Sequence, residues 1–234
     1  WKEDKKTETN EVMFALQHSA KHKIASNYGK SYYPSDYSPN AGWADYYGNE
    51  DFFKAYPNDD RKEWNYMTEW KIKSGEIIPY TESADKLPAI SKYYDYDEGA
   101  PGKSAQSNGI TCIYRYAEVL LMYAEASTRA TNSVNQDALN AIQEVQKRAG
   151  YQNRQIELTT TTEPAAFLAA VSNERGWEFF AEMKRWFELV RLEKVKEVRA
   201  EEWDASTFNT NHHYYFPVPY QQVDLAGWTN NAGY

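Results

Sequence analysis

The segment at 114–129 constrains the fold more than any other part of the chain, because it is apolar almost all round. It lacks the wide polar face that a surface helix shows. Its apolar residues are Tyr116, Ala117, Val119, Leu120, Leu121, Met122, Tyr123 and Ala124. A helix with this pattern packs against neighbours on several sides. We therefore predict a central helix and a mostly α fold.

A second helix is predicted directly after it. One apolar face is formed by Ala138, Leu139, Ile142, Val145 and Ala149. Ser133 and Gln136 have the spacing of a capping box. Gly150 lies just after the last apolar position, where many helices end in a residue with a left-handed backbone. The short connection predicts that the two helices are antiparallel.

A third helical stretch begins near Glu163 and Pro164, because proline and an acidic residue both suit a first helical turn. Its apolar pattern continues to Val190, which is long for a single helix, so we predict a bend at Gly176. Helix pairs of this length suggest tetratricopeptide-like hairpins, although the sequence has no strict repeat.

The rest of the chain differs from this helical part. Residues 11–17 are compatible with a short strand, whereas 28–109 mix turn-forming residues with many aromatic rings. Ordered irregular segments of this length usually carry function. We predict one domain over 1–234, made of a loop-rich, aromatic, ligand-facing part at 1–109, a helical scaffold at 110–200 and an extended carboxy-terminal tail at 201–234.

Composition narrows the class of ligand. The chain contains 20 Tyr and 8 Trp, and 16% of its residues are aromatic. Such rings offer flat apolar faces with polar tips, which suit the faces of sugars and nucleobases. The net charge of −8 favours carbohydrate, because a nucleic-acid binder usually carries a basic surface.

Several other chemistries are disfavoured. Cys112 is the single cysteine, so it forms no disulfide within the chain, and we expect it to be buried. We expect no metal site, because His18 and His22 have no evident third ligand, and the adjacent His212 and His213 would point to opposite sides of an extended chain. The acidic turn at 95–99 lacks the full spacing of a calcium loop.

The charged residues of the third helical stretch allow two interpretations. Carboxylates and arginines alternate three or four residues apart, at Glu174, Arg175, Glu178, Glu182, Arg185, Glu188 and Arg191. Two carboxylates could serve a glycosidase as acid and nucleophile. Regular alternation with arginine instead favours a salt-linked scaffold with no catalytic residue. On this interpretation Arg185 and Arg191 hold the tail or a neighbouring helix.

Four segments, in order, resemble the SusD/RagB family of outer-membrane nutrient-binding lipoproteins. They are YRYAEVLLMYAEA at 114–126, LNAI to KRAG at 139–150, NER followed by EMKRWFELVR at 173–191, and FPVP at 216–219 with the closing NAGY at 231–234. The sequence departs from the family at three positions. The family usually has Gly in place of Met183, Asp in place of Glu188 and often a charged residue in place of Gly176.

The resemblance implies a cell-surface, lipid-anchored protein of the outer membrane. Such a protein binds a glycan without catalysis and without a cofactor, and passes it to a SusC-like TonB-dependent transporter. The resemblance also implies that this chain is the carboxy-terminal portion, with the signal and the lipid anchor on an amino-terminal part outside it. We expect no nucleic-acid partner.

Nine residues of the aromatic region are the candidate ligand-binding residues. Six rings could form an arc on which a glycan stacks, and three polar side chains could bind its hydroxyls: Tyr32, Tyr33, Tyr37, Trp43, Tyr46 and Tyr47, with Asn40, Asp45 and Asn49. Phe52, Phe53, Trp64 and Trp70 are expected in the core. Other hypotheses remain open, namely a receptor for peptide or another nutrient, a structural helical-repeat adaptor and a glycosidase.

Overall fold

The computed structural model describes residues 9–38, 41–93, 107–198 and 214–234. The chain forms two compact units, residues 1–182 and 183–234. Helices dominate the described residues and the strands are short, which confirms the mostly α prediction. No described helix is long and apolar enough to cross a bilayer.

The first unit begins with short elements. Strand β1 (Val12–Gln17) pairs antiparallel with β6 (Ile110–Arg115), and the predicted strand at 11–17 is thereby confirmed. Between them lie helices α1 (Tyr28–Tyr32), α2 (Glu50–Ala55) and α3 (Asp60–Asn65). Strand β2 (Tyr66–Met67) pairs with β5 (Ala89–Ile90), and β3 (Glu69–Lys71) pairs with β4 (Ile77–Pro79).

Three longer helices form the scaffold of this unit. They are α4 (Tyr116–Thr131), α5 (Gln136–Arg148) and α6 (Pro164–Glu178). Their facing sides enclose a core around Leu121, Ile142 and Phe167, each with no exposed surface. Burial of such side chains stabilises the fold by about 1.5–3 kcal/mol each. The predicted helical hairpin is therefore present as α4 and α5.

The ends of these helices test the predictions made from capping residues. Glu163 caps α6, with its carboxylate accepting hydrogen bonds from the backbone N–H groups of Ala165 and Ala166, as its position predicts. Gly150 has the expected left-handed backbone, with φ of 85°. The predicted capping box is wrong, because Asn135 caps α5 and accepts from Ala138 N at 2.8 Å.

Helix α4 is less enclosed than its sequence predicts. Leu121 and Ala124 are buried against the neighbouring helices, whereas Met122 and Tyr123 are 51% and 44% exposed. The opposite face is nonetheless apolar, and it is exposed within the described chain. The prediction of burial on several sides is wrong for this face.

The third helical stretch breaks later than predicted. Helix α6 passes through Gly176 without interruption and ends at Glu178. Ala181 and Met183 then adopt left-handed backbone conformations, with φ of 59° and 60°. This conformation costs a side chain about 1–2 kcal/mol. It also explains why a glycine suits position 183.

The second unit contains α7 (Arg185–Arg191), α8 (Val195–Val198) and α9 (Tyr220–Ala226). Leu189, Val195 and Tyr214 form its small core. The prediction of a wholly extended tail is wrong at α9. Arg185 also pairs within its own helix, with Glu188 at 2.9 Å.

The tail folds back on itself through its two motifs. Asn230 Oδ1 accepts from Val218 N at 2.8 Å, and Asn231 Nδ2 donates to Phe216 O at 2.6 Å. Tyr234 Oη donates to Tyr215 O at 2.9 Å. The closing residues therefore hold the proline-containing segment in place.

Buried ion pairs connect distant parts of the first unit. Arg61 on α3 binds Glu174 and Glu178 on α6, each at 2.7 Å, and Asp59 at 2.5 Å. Arg115, the last residue of β6, binds Glu178 as well. Because each carboxylate contacts a cation, burial of these charges is tolerated. We call the charge network the set formed by these residues together with Glu11, Lys92, Arg148 and Glu182.

The charge network extends to two further segments. Arg115 also binds Glu11 at 2.7 Å and Glu182 at 2.8 Å. Lys92 binds Glu182 at 2.5 Å, and Arg148 binds Glu178. Burial alone would raise the pKa of Glu178, but the surrounding arginines outweigh it and hold this pKa below its ordinary value.

The first prediction concerns Arg115. Replacing it with alanine removes the cation that Glu178 and Glu182 share and leaves excess negative charge buried around them, so we expect a loss of about 3–5 kcal/mol in the free energy of unfolding. Arg154→Ala is the matched control, because it removes solvent-exposed pairs with Asp60 and Glu63 and should cost far less. Urea denaturation of both variants measures the difference. Equal losses would contradict the structural role of the network.

The second prediction concerns Met183, whose side chain is 54% exposed. We expect Met183→Gly to raise the free energy of unfolding by about 0.5–1 kcal/mol, because glycine removes the left-handed strain. Met183→Ala is the control, since it loses the same side chain but keeps the strain. Thermal denaturation that ranks alanine at or above glycine would refute this explanation.

Candidate functional site

The candidate site is the loop at 41–49, which packs on the end of α1. The last carbonyl groups of a helix have no partner within it. Here the N–H groups of the loop donate to carbonyl groups in the last turn of α1 and in the two residues after it: Trp43 to Lys30 O, Asp45 and Tyr46 to Ser31 O, Ala44 to Tyr33 O, and Gly42 to Pro34 O, at 2.6–3.2 Å. The loop is therefore fixed by backbone bonds rather than by its side chains.

Gly42 allows this close approach. A Cβ atom at position 42 would lie only 2.0 Å from the backbone oxygen of Tyr33, which is a severe steric clash. Only glycine fits at this point without displacing the loop. The sequence thus combines a glycine with aromatic residues to place rings on a rigid turn.

Two of the predicted rings are exposed on this loop. Trp43 is 51% and Tyr46 is 62% exposed. The ammonium group of Lys30 lies 4.6 Å from the centre of the Trp43 ring, a cation–π contact that supports one side of the indole. Because Lys30 is attached to α1, it adds to the rigidity of the site.

Two other predicted rings are buried, which corrects their assignment as stacking surfaces. Tyr33 has no exposed surface and Tyr32 has 7%. Tyr32 packs on Tyr93 at 5.6 Å and on Tyr46 at 5.9 Å, and burial raises its pKa to about 12. These two rings fill the apolar space between α1 and its neighbours, and the loop packs on them through Tyr46.

The other predicted residues have separate environments. Tyr37 is half-buried, lies 5.2 Å from the Tyr33 ring and does not share the loop. Tyr47 Oη donates to Asp85 at 2.6 Å. Asp45 is exposed beside the two rings, whereas Asn49 caps α2 by accepting from Phe52 N. Asn40 lies outside the described residues.

The residues expected in the core divide as well. Trp70 is 3% exposed and donates its indole N–H to Asp36 at 2.8 Å, so its core assignment is confirmed. Trp64 is 72% exposed, and its assignment to the core is wrong. The charged run at 59–63 that precedes it does not signal this exposure, because Asp59 and Arg61 are themselves buried.

The contacts also bear on the other chemistries. Among the described residues no three potential ligands cluster as a metal site. His18 is bound to Ile24 O and Thr111 Oγ1, and His22 to Ser19 Oγ. The acidic turn at 95–99, His212 and His213 lie outside the described residues. Cys112 is buried, as predicted, and burial raises the pKa of its thiol to about 12.

The carboxylates considered for a glycosidase serve the charge network instead. Glu174, Glu178 and Glu182 are each ion-paired to an arginine or lysine from another part of the chain. The pairing within α6 that the alternation predicts is wrong, because the partners of these carboxylates come from α3, β6, α5 and Lys92. These side chains are structural.

Comparison with known proteins assigns the family. The SusD family model matches residues 68–234, and the chain belongs to the SusD family. SusD-like protein P2 of Formosa agariphila is 28% identical over 200 residues, covering 77% of this chain and 39% of that protein. The prediction of a non-enzymatic protein is confirmed at the level of the family.

Solved structures agree in fold. A SusD homolog from Bacteroides thetaiotaomicron has a TM-score of 0.76 at 20% identity, covering 96% of this chain and 52% of that one. Surface glycan-binding protein A of the same species, in complex with laminarihexaose, has a TM-score of 0.67 at 22% identity, covering 94% and 52%. The chain thus spans about half the length of these structures.

The third prediction follows from the packing of the loop. Gly42→Ala places a methyl group against Tyr33 O, so we expect the loop to shift and the Trp43 environment to change. Gly75→Ala is the control, because position 75 has a left-handed backbone but meets no atom closer than 3.9 Å. Hydrogen exchange at 42–46 should quicken in the first variant only. Unchanged exchange in Gly42→Ala would show that the loop tolerates a side chain there.

Proposed function

We propose that the protein binds an oligosaccharide or polysaccharide at the outer-membrane surface and passes it to a SusC-like TonB-dependent transporter. The function is capture without catalysis. Family membership supports it, as does the structural relative that holds laminarihexaose. The lipid anchor and the outer-membrane location belong to the same proposal.

The exposed pair of Trp43 and Tyr46 on a fixed loop is the observation that carries this proposal. A sugar ring presents axial C–H groups on one face, and an aromatic ring provides the flat apolar surface on which that face packs. The loop is already ordered by its bonds to α1, so little conformational entropy is lost when the ligand binds. The side of Trp43 away from Lys30 is the proposed stacking face.

Polar groups beside the rings complete the proposed site. Asp45 is exposed between Trp43 and Tyr46 in sequence and can accept hydrogen bonds from sugar hydroxyls. The hydrogen bond to Asp85 orients Tyr47. Burial is the larger cause, and this hydrogen bond the second, of the raised pKa of the Tyr47 hydroxyl. Tyr47 therefore stays neutral and offers its oxygen as an acceptor.

The fourth prediction tests this site in the full-length protein with laminarihexaose. We expect the double variant Trp43→Ala, Tyr46→Ala to weaken binding at least about tenfold, because each stacked ring contributes on the order of 1 kcal/mol. Tyr220→Ala is the control, since it removes a ring that is 77% exposed in the second unit. Calorimetry measures both affinities.

Three outcomes of that experiment separate the hypotheses. Weaker binding in the double variant alone supports the loop as a glycan site. Equal binding in all three proteins would remove the loop from the site. Failure of the unaltered protein to bind any of a panel of polysaccharides, together with binding of peptides, would favour a receptor for another nutrient.

A further inference from the structure

A cleft of about 1100 Å³ opens on the first unit, away from the candidate loop. Neither Trp43 nor Tyr46 lines it. Its apolar walls are formed by Tyr37, Trp64, Met67 and Ile77, and its floor reaches the charge network at Arg61. Ligand clefts have volumes on the order of 300–1,000 Å³, so this one has room for an extended ligand.

Trp64 is the exposed ring of this cleft, with 72% of its surface accessible, compared with 51% for Trp43. Its helix is nevertheless held firmly. Asp59 caps α3 by accepting from Arg61 N at 2.9 Å, and the Arg61 side chain is anchored in the charge network. The Trp64 carbonyl accepts from Ser91 Oγ at 2.8 Å. A rigid helix thus presents an apolar ring to solvent.

The charges of the cleft indicate a neutral ligand. Five carboxylates and five cationic side chains line it, so it has no excess of either sign. The deep charges are already ion-paired within the network. Glu69 and Lys71 are exposed and can exchange hydrogen bonds with hydroxyl groups.

Much of the backbone in the cleft wall is already hydrogen-bonded within the chain. Ser91 N donates to Asn65 O at 3.0 Å, and Tyr80 N donates to Thr68 O at 2.8 Å. Strand β3 is bonded to β4 on one edge, and on its other edge Ser38 N donates to Lys71 O at 2.8 Å. A peptide that binds by adding a strand would need such groups to be available. A saccharide, which relies on ring stacking and hydroxyl contacts, does not.

We infer that this cleft is a second binding site for a neutral saccharide, with Trp64 as its stacking surface and Glu69 and Lys71 as hydroxyl partners. The inference rests on the proposed function and extends it. The protein would then have two separate aromatic surfaces for glycan, the loop with Trp43 and the cleft with Trp64, and one long chain or two short ones could occupy them. Tyr37, one of the predicted ligand-binding residues, belongs to this second site.

The test uses laminarihexaose and the full-length protein in the background Trp43→Ala, Tyr46→Ala. We expect residual binding in that background, and a further loss of at least about tenfold when Trp64→Ala is added. Trp64→Phe is the matched control, because it keeps an aromatic face and should retain binding within about threefold of the background. Thermal denaturation confirms that each variant is folded.

The outcomes distinguish this inference from the proposed function. Identical affinity with and without Trp64→Ala would overturn the second site and leave the loop site standing. Absence of saccharide binding by the unaltered protein would overturn both. An oligomer of uronic acid should bind the background at least about tenfold more weakly, and equal binding would contradict the neutral class.

Accessibility of Trp64 is checked separately. Iodide should quench the fluorescence of the full-length protein more than that of Trp64→Phe, because Trp64 is the most exposed indole among the residues that the structure describes. Equal quenching would mean that another part of the longer protein covers the ring. That result would overturn the inference.

Discussion

The structure depends on the neutralisation of carboxylates buried along α6. A carboxylate without a partner in the interior would cost several kcal/mol, so each requires a cation at hydrogen-bonding distance. Arg61 supplies it from α3 and Arg115 from the end of β6. The loop-rich part of the first unit is therefore joined to its helical scaffold by charge as well as by apolar contact. That connection positions both aromatic surfaces.

Aromatic residues have two roles in this chain, and burial separates them. Tyr33, Tyr56 and Tyr66 fill the interior of the irregular region, where few aliphatic side chains are present. Trp43 and Trp64 face solvent although their backbones are fixed. Rigid exposed rings lose little entropy on binding, which is why they suit the capture of a ligand that is itself flexible.

The sequence predicted the helical scaffold well because helical periodicity is a local property. The apolar face at Ile142 and the cap at Glu163 could be recognised from residues within one or two turns. The position of the helix break was predicted wrongly, since Ala181 and Met183 take a backbone conformation that their side chains disfavour. Helix α5 starts two residues later than the capping box predicts, so Asn135 rather than Ser133 is its cap.

The site was less predictable because exposure is decided by distant contacts. Tyr32 and Trp43 are both aromatic residues of one loop-rich segment, yet Tyr93 covers the first and Lys30 supports the second. Two partners of Arg61, Glu174 and Glu178, lie 113 and 117 residues away, and the alternation of charges in α6 does not indicate that pairing. Composition indicated a glycan-binding surface, whereas tertiary contacts select its members.

A crystal structure of the full-length protein with laminarihexaose would show whether fixed, exposed rings capture a glycan. We expect a sugar ring packed on the side of Trp43 that faces away from Lys30, with the loop unchanged in position. A glycan bound without contact to Trp43 or Tyr46, or a loop that rearranges to bind it, would mean that these fixed rings are not the capture surface.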